Sequence, residues 1–397
     1  MRYSHGSIPL NRNVYLLLIA QFLTAFADNA ILFTALAMVM QNGHSPPWYI
    51  PVLQGIFLAA FVFLAPWVGS FADSRPKATV LFTANLTKAV GAGLMFLGVD
   101  PLISYAVVGV GAATYSPAKY GILPELVHHN DLVKANGWIE GTTILAILTG
   151  SLAGGIVADH SVHAALGMVE VLFLLSAFAA TFILRIPPQV RAPYHEQTIV
   201  HFFRLAQGLL HTSRARFCVL GVALFWSAAV ALRVMLVNWA PVVLDLHDSE
   251  SIAQLTLALA IGIALGAVAV PRIIPLEHLR RVRFAAYAMG AAILLLETTH
   301  GVWEARGILL LVGLAGGLFL VPVNAALQEI GHRSIGSGNT IAVQQFFEST
   351  GMTLATMLYG VAAAEGADPV MSIAVLGWIV IVATFVVSRR LPREKDE

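Results

Sequence analysis

Charge is scarce in this chain of 397 residues: Asp, Glu, Lys and Arg together make up 11% of the sequence, whereas apolar residues make up 58%. Because so few charges cannot cover the surface of a water-soluble domain, the composition excludes the ordinary soluble classes of protein. The single cysteine, Cys218, excludes an internal disulfide and a metal site built from paired cysteines. We expect an integral membrane protein with no cofactor, no bound metal and no nucleic-acid partner.

Twelve apolar runs are each long enough to cross about 30 Å of hydrocarbon as a helix. They lie near residues 14 to 40, 50 to 72, 78 to 98, 101 to 123, 136 to 159, 164 to 185, 217 to 243, 252 to 271, 283 to 298, 305 to 329, 338 to 363 and 370 to 388. The ninth run is the shortest. This pattern predicts an all-α integral membrane fold with twelve transmembrane helices.

The distribution of positive charge predicts the orientation of these helices, because cytoplasmic loops collect Lys and Arg. If the N-terminus is inside, then of the 23 Lys and Arg residues only Arg306 falls on the outer side, while Lys88 and Arg233 fall within spans. The outer loops carry acidic residues instead, such as Asp159 and Asp245. We therefore expect a multi-pass protein with both termini in the cytoplasm.

The first apolar run has some features of a signal peptide, because Arg2 and Arg12 precede its core and the residues 25 to 27, Ala-Phe-Ala, imitate a cleavage site. A mature exported N-terminus would usually turn polar after such a site. Here residues 30 to 40 continue the apolar run without a break, which favours a retained first span.

The longest hydrophilic stretch, residues 186 to 216, separates six spans from six. We expect an N-terminal half over residues 1 to 185, a cytoplasmic central loop, and a C-terminal half over residues 217 to 397 that ends in a short cytoplasmic tail. This is the layout of transporters built from two repeats related by an axis along the membrane normal. The second part of the loop is basic and carries apolar residues such as Phe202 and Leu209, so it forms either a short interfacial helix or a solvated linker.

A polar motif follows the second span: Gly69 at the helix end, Asp73 four residues later, and then the cations Arg75 and Lys77. It resembles the loop motif of the major facilitator superfamily. In that family the carboxylate holds the two halves together on the cytoplasmic side, near a helix N-terminus whose dipole favours an anion. The second half has Val270 where the carboxylate would be, so its copy of the motif is degenerate.

A carboxylate, Asp28, lies in the middle of the first span. At the centre of a bilayer such a charge costs about 2.5 to 3.5 kcal/mol, so it must face a cavity or a partner. A rise of about 1.5 Å per residue puts Asp28 about 21 Å from the inner end of span one and Arg233 about 24 Å from that of span seven. Spans one and seven face each other in a two-half transporter, so we predict that these charges pair when the outer side closes.

Other charges within the spans leave alternatives open. Lys119 in span four and Glu140 in span five lie near the inner gate, and Lys119 is either a snorkelling interface lysine or a cavity residue. Lys88 lies midway along span three, where a structural partner is favoured. Glu348 gives span eleven a polar face.

The predicted cavity suits a zwitterion. A carboxylate and cations on different helices, among aromatic side chains, fit an ammonium, a phosphate or carboxylate, and an apolar group. This pattern alone does not separate a lipid head group from an amino acid. Proton- or sodium-coupled export of drugs or small zwitterions would use the same fold and stays an alternative. No nucleophile or metal-ligand motif indicates an enzyme.

Seven segments resemble the bacterial lysophospholipid transporter family, LplT, and they extend over nearly all of the chain. The segments are residues 20 to 30, 108 to 123, 133 to 137, 224 to 226, 232 to 233, 321 to 329 and 338 to 344. The resemblance implies that Asp28, Lys119 and Arg233 are cavity charges. It also implies that Asn29, Glu140 and Glu348 belong to the same substrate-binding and gating site.

The resemblance also implies a major facilitator fold in the bacterial inner membrane and a flippase that moves lysophospholipids, chiefly lysophosphatidylethanolamine, from the outer to the inner leaflet by alternating access. An acyltransferase partner that uses acyl carrier protein would then restore the second chain. Some relatives carry this acyltransferase on the same chain, but here no histidine is followed five residues later by aspartate, the usual signature of such enzymes. We therefore expect the transporter alone, a monomer surrounded by membrane lipids.

Overall fold

The computed structural model describes residues 11 to 41, 49 to 188, 199 to 246, 249 to 273 and 279 to 389. These residues form fourteen α-helices and one short 3-10 turn, and none of them lies in a strand. The helices are α1 (Arg12–Gln41), α2 (Tyr49–Asp73), α3 (Lys77–Phe96), α4 (Pro101–Gly121), α5 (Leu123–Leu126), α6 (His129–His160), α7 (Val162–Thr181), α8 (Ile199–His211), α9 (Ser213–Leu244), α10 (Ser249–Ile273), α11 (Leu279–Leu295), α12 (Val302–Arg333), α13 (Ser337–Ala364) and α14 (Pro369–Ser388).

Twelve of these helices are long, and each coincides with one of the twelve predicted spans. Within the described residues, eight are both long and apolar enough to cross a membrane. The other four, α4, α10, α11 and α13, complete the two groups of six. The sequence of α11 begins with three arginines within five residues, and α13 carries the polar residues of span eleven, which lowers their mean hydropathy. The predicted all-α fold with twelve transmembrane helices is confirmed.

Several helices extend beyond their predicted spans, and two of these extensions meet. α6 begins at His129 rather than near residue 136, and α12 ends at Arg333 rather than near residue 329. The extensions contact each other, since His129 Nδ1 lies 3.0 Å from Glu329 Oε1. An apolar pattern ends with the hydrocarbon, whereas a helix continues wherever tertiary packing stabilises it.

Successive spanning helices alternate in direction, which defines two sides of the molecule. α1 begins and α14 ends on one side, here called the terminal side; the other is called the opposite side. On the terminal side the end of α2 meets the start of α13, where Ser70 Oγ donates a hydrogen bond to Asn339 Oδ1 at 2.9 Å. On the opposite side the starts of α2 and α4 meet, and Tyr49 donates to Asp100 Oδ1 at 2.9 Å.

Glycines bring the backbones of α10 and α12 into direct contact. Gly262 and Gly266 of α10 face Gly313 and Gly317 of α12. A Cβ added at any of these four positions would overlap a backbone carbonyl oxygen of the other helix. Small residues allow this close approach between membrane helices, where packing and not water drives association.

The helix α8 packs its apolar face on the second half. Phe202, Ala206 and Leu209 are buried, and the ring centroid of Phe202 lies 5.6 Å from that of Phe346 in α13. The basic central segment thus contains the predicted short helix, and its position at the membrane interface stays a prediction.

The glycine contact predicts that the same substitution has different effects on stability at two positions of α12. Gly313→Ala should lower the melting temperature of the detergent-purified protein, because overpacking a close contact typically costs about 1 to 3 kcal/mol. Gly307→Ala is the matched control, since a Cβ there would meet nothing within 4 Å. It should leave stability unchanged or raise it by up to about 1 kcal/mol through helix propensity. Equal melting temperatures for the two variants would contradict the packing.

Candidate functional site

The terminal side is closed by a carboxylate at a helix start. Asp73, at the end of α2, is 4% exposed and accepts hydrogen bonds from the backbone N–H groups of Gly338 (2.7 Å) and Asn339 (2.9 Å) in the first turn of α13. The N-terminus of a helix favours an anion because its N–H groups are unpaired and its dipole is positive there. Gly336, with φ +95°, leaves room for the carboxylate, which a Cβ would overlap. This contact joins the first half to the second.

Lys77 extends this junction within the first half. Its Nζ lies 3.6 Å from Asp73 Oδ1 and 2.6 Å from Glu125 Oε1, so one ammonium joins two carboxylates. Burial raises the pKa of the Glu125 carboxyl above its ordinary value, and the charge of Lys77 opposes that shift. Glu125 lies in the short helix α5, so the contact also fixes the connection between α4 and α6.

The two other residues of the loop motif have different surroundings. Gly69 lies against Asn339, and a Cβ added to Gly69 would be 2.7 Å from the Cα of that residue. Arg75 stacks its guanidinium 4.2 Å from the ring centroid of Phe71, one turn earlier in the chain. Gly69 thus belongs to the contact between the halves, whereas the ring that Arg75 covers belongs to the first half.

A second layer of hydrogen bonds closes the terminal side further inside. Asn136 of α6 and Gln328 of α12 are fully buried and exchange two amide hydrogen bonds of 2.9 and 2.7 Å. Glu140 Oε1, one turn further along α6, accepts from the Tyr120 hydroxyl (2.7 Å) and from Asn324 Nδ2 (3.2 Å). Each layer therefore joins the two halves by bonds that must break before the terminal side opens.

Asp28 forms its ion pair with Lys88. Lys88 Nζ lies 2.7 Å from Asp28 Oδ2 and donates a second hydrogen bond to Thr24 Oγ1 at 2.9 Å. The side chain of Lys88 is 1% exposed and that of Asp28 is 18% exposed, so the lysine is the inner member of the pair. Mutual attraction offsets much of the cost of removing both charges from water.

A chain of hydrogen bonds continues from this pair into the packing of the first half. Thr24 Oγ1 donates to Asn85 Oδ1 (2.7 Å), and Asn85 Nδ2 donates to Ser176 Oγ (2.9 Å). Ser176 in turn donates to the backbone carbonyl of Ala20 at 2.7 Å. The pair is thus anchored to α1, α3 and α7.

Arg233, the partner predicted for Asp28, lies apart from it in this structure. It is exposed on α9, and among the described residues it makes no ion pair. The predicted pairing belonged to a state with the outer side closed, whereas here the bonds described above close the terminal side. The pair of Asp28 with Arg233 therefore stays a prediction for the other state.

Lys119 is a buried cation without a charged hydrogen-bonding partner. It is 8% exposed, and within the described part of the chain its ammonium makes no ion pair within 4.0 Å. The ammonium lies 4.0 Å from the ring centroid of Tyr120 and interacts electrostatically with Glu140 and Glu348 at longer range. Its burial favours a cavity residue over an interface lysine that snorkels to water. Such a group is available to bind an anion.

The remaining candidates differ in their contacts. Glu348 is 7% exposed and accepts a hydrogen bond from Gln345 Nε2 at 3.1 Å. Asn29 is half-buried and donates to the carbonyl of Ala25 on its own helix at 2.8 Å. The structure thus brings Lys119, Glu140 and Glu348 together, within electrostatic reach of one another.

Sequence reasoning missed two partners that decide this geometry. It expected a structural partner for Lys88 but did not identify Asp28, although Asn85 and Lys88 lie one helical turn apart on α3, as Thr24 and Asp28 do on α1. It also gave no role to Tyr120, whose hydroxyl binds Glu140. Matching polar faces on neighbouring spans was the available signal for the first.

The comparisons with known proteins agree over most of the chain. The family model of the Major Facilitator Superfamily matches residues 17–356. The lysophospholipid transporter LplT of Enterobacter sp. (strain 638) is 43% identical over 360 residues, which are 90% of this chain and 90% of that protein. The chain belongs to the LplT family of the major facilitator superfamily. The LplT of Klebsiella pneumoniae subsp. pneumoniae is 44% identical over 353 residues, 88% of this chain and 89% of that one.

Solved structures support the same fold for this LplT family member. The human organic anion transporter MFSD10 (TETRAN) superimposes with a TM-score of 0.78 at 14% identity, over 96% of this chain and 100% of that one. FucP, a major facilitator superfamily transporter in the outward conformation, gives 0.74 at 14% identity over 95% and 97% of the two chains. At such identities the likeness shows the fold alone.

The contact of Asp73 with α13 predicts a shift in the conformational equilibrium. Asp73→Asn weakens two hydrogen bonds to a charged acceptor, each worth about 1.5 to 3 kcal/mol, so the population open on the terminal side should rise at least about tenfold. Spin labels at exposed Arg12 and Ser334, with Cys218 replaced by Ala, would report this as a longer distance between the halves. Asp159→Asn, at an exposed position, is the control and should leave the distances unchanged. Unchanged distances in both variants would contradict the role of Asp73.

The pair of Asp28 and Lys88 predicts strong coupling in a double-mutant cycle. Lys88→Met or Asp28→Asn leaves one charge unpaired and should destabilise the protein by up to about 3 to 5 kcal/mol, reduced by the partial exposure of Asp28. The double variant removes both charges and should recover most of that loss, as measured by thermal unfolding in detergent.

Arg233→Met supplies the comparison for this cycle. Because Arg233 is exposed, its removal should change stability by no more than about 0.5 kcal/mol. If Asp28→Asn instead coupled to Arg233→Met and not to Lys88→Met, the ion pair seen here would not be the one that stabilises the protein.

Proposed function

We propose that this protein is a lysophospholipid transporter, a flippase that moves lysophosphatidylethanolamine and related lysophospholipids from the outer to the inner leaflet of the bacterial inner membrane. The observation that carries the proposal is the identity of 43% over 90% of both chains with a protein named lysophospholipid transporter LplT. The buried charges of the first half are consistent with it, because a lysophospholipid head group needs both a cationic and an anionic partner. Released on the inner side, the substrate would be reacylated by a partner acyltransferase.

Lys119 is the proposed ligand of the substrate phosphate. Its ammonium is buried and makes no ion pair with a described residue, so a phosphate would satisfy it through a charge-assisted hydrogen bond. Asp28, of which one carboxylate oxygen is already bound by Lys88, is the proposed ligand of the substrate ammonium. Glu140 and Glu348 border Lys119, and Asn29 neighbours Asp28, which makes them secondary members of the site.

The terminal side corresponds to the cytoplasm in this proposal, because the loops on that side carry most of the lysines and arginines. The structure would then be the state that is closed to the cytoplasm. In this state the protein would receive a lysophospholipid from the outer leaflet, and the head group of the lipid would enter the space between the halves. Both termini would be cytoplasmic, and residues 186 to 216 would link the two halves as a cytoplasmic loop.

Alternating access would exchange one set of bonds between the halves for another. Opening to the cytoplasm breaks the contact of Asp73 with α13 and the amide pair of Asn136 with Gln328. Closing the outer side brings Arg233 toward Asp28, as their similar depths predict. The bound head group stabilises the second state only if it binds that state more tightly than the first. We propose that the monomer performs this cycle.

A second candidate function is ion-coupled export of drugs or small zwitterions. The buried pair of Asp28 and Lys88 favours it, because a carboxylate linked through Lys88 to the hydrogen-bonded Thr24 and Asn85 could exchange a proton. Transport that depends on an ion gradient, and loses this dependence in Asp28→Asn, would support the exporter over the flippase.

Leaflet-resolved translocation tests the main proposal. In vesicles containing the protein, labelled lysophosphatidylethanolamine should cross faster than in protein-free vesicles. Lys119→Met should slow this at least about tenfold, since a charge-assisted hydrogen bond is worth about 1.5 to 3 kcal/mol. Arg12→Met removes an exposed cation at the start of α1 and should keep the wild-type rate. Equal rates with and without the wild-type protein would refute the proposal.

A further inference from the structure

An apolar groove opens between α9, α13 and α14 in the half of the membrane toward the opposite side. Its volume is about 650 Å³, within the range of about 300 to 1,000 Å³ usual for ligand pockets. Alanine, leucine, methionine and valine side chains form most of its wall, among them Ala231, Ala355, Leu358, Met371 and Val375. Leu358 and Met371 are largely exposed, so the groove is open to the surrounding lipid.

The inner end of the groove lies next to the buried charges. Gly351 and Ser227 line this end, and Gly351 follows Glu348 on α13 by one helical turn. Glu348 in turn belongs to the group that contains Lys119 and Glu140. The groove and the polar site are therefore consecutive along one helix. The outer end lies at Asp368, where α14 begins.

In the first half the corresponding pair of helices touches backbone to backbone. There α6 packs on α1 as α13 packs on α9, but Gly150 and Gly154 lie directly against the backbones of Phe26 and Ala30. A Cβ added at either glycine would overlap those backbones, so the two helices are in direct contact at both positions. In the second half the close contact of Gly351 with Ser227 lies at the inner end of the groove.

We propose that this groove holds the single acyl chain of the substrate while the phosphate of its head group binds at Lys119, beside Glu348. This inference rests on the proposed function. A chain left in a water-filled cavity would cost about 0.8 kcal/mol for each exposed CH₂ group, so head-group binding inside the protein requires an apolar place for the chain.

Filling the groove tests this assignment. Ala355→Phe and Ala362→Phe place a ring in the groove from half-buried positions of α13. Each should slow the translocation of palmitoyl lysophosphatidylethanolamine at least about tenfold, which corresponds to losing the burial of roughly two CH₂ groups. The hexanoyl analogue, whose short chain does not need the full groove, should move at nearly the wild-type rate. Ala291→Phe, at an exposed position of α11, is the matched control and should affect neither substrate.

The outcomes separate this inference from the proposed function. If the wild-type protein translocates neither lipid, the proposed function fails. If it translocates both, and the groove variants slow both equally or neither, the function stands and the groove assignment is overturned.

Photo-crosslinking gives a readout that does not depend on transport. Palmitoyl lysophosphatidylethanolamine with a diazirine at mid-chain should label peptides of α13 and α14 in the wild-type protein, and an excess of the unlabelled lipid should suppress this labelling. Ala355→Phe should lose it, and Ala291→Phe should retain it. Even labelling of all lipid-facing helices, unaffected by competitor, would mean that the groove holds only bulk lipid and would overturn the inference.

Discussion

The requirement that a charge inside a membrane has a partner organises this protein. A lone ionised side chain at the bilayer centre costs about 2.5 to 3.5 kcal/mol on insertion scales. The structure meets the requirement in three ways: Asp28 has an ammonium, Asp73 has the N–H groups of a helix start, and Glu140 has a hydroxyl and an amide. Lys119 is the exception, since among the described residues its ammonium makes no ion pair and lies over an aromatic ring. The substrate phosphate is the partner that the proposed cycle supplies to it.

The bonds that close the terminal side are individually modest. A typical neutral hydrogen bond contributes about 0.5 to 1.5 kcal/mol net, and those to a charged group about 1.5 to 3 kcal/mol. The contacts of Asp73 with α13 and of Asn136 with Gln328 therefore amount to a few kcal/mol between the two states. A ligand with a tenfold preference for one state shifts that balance by about 1.4 kcal/mol, so the closure is firm enough to populate one state and weak enough to be reversed.

The spans could be predicted from the sequence because hydropathy and helix length are local properties, and every long helix fell on a predicted run. The loop motif also identified Asp73, but the residues whose N–H groups donate to it, Gly338 and Asn339, lie more than 260 residues later and meet it only through the fold. The partner of Asp28 was the hardest feature. Depth along a helix suggested Arg233. The rotation of each helix about its own axis instead brings Lys88 to Asp28, and no pattern within a single span encodes that rotation.

The amide pair of Asn136 and Gln328 has a consequence for the energetics of the cycle. Both side chains are uncharged, and Asp73 faces backbone groups that carry only partial charges. Moving a full charge through 100 mV of membrane potential is worth about 2.3 kcal/mol, but separating amides moves almost none. The transmembrane voltage therefore has little to act on in the amide pair itself, in contrast to the charged pair of Arg233 and Asp28 in the proposed cycle.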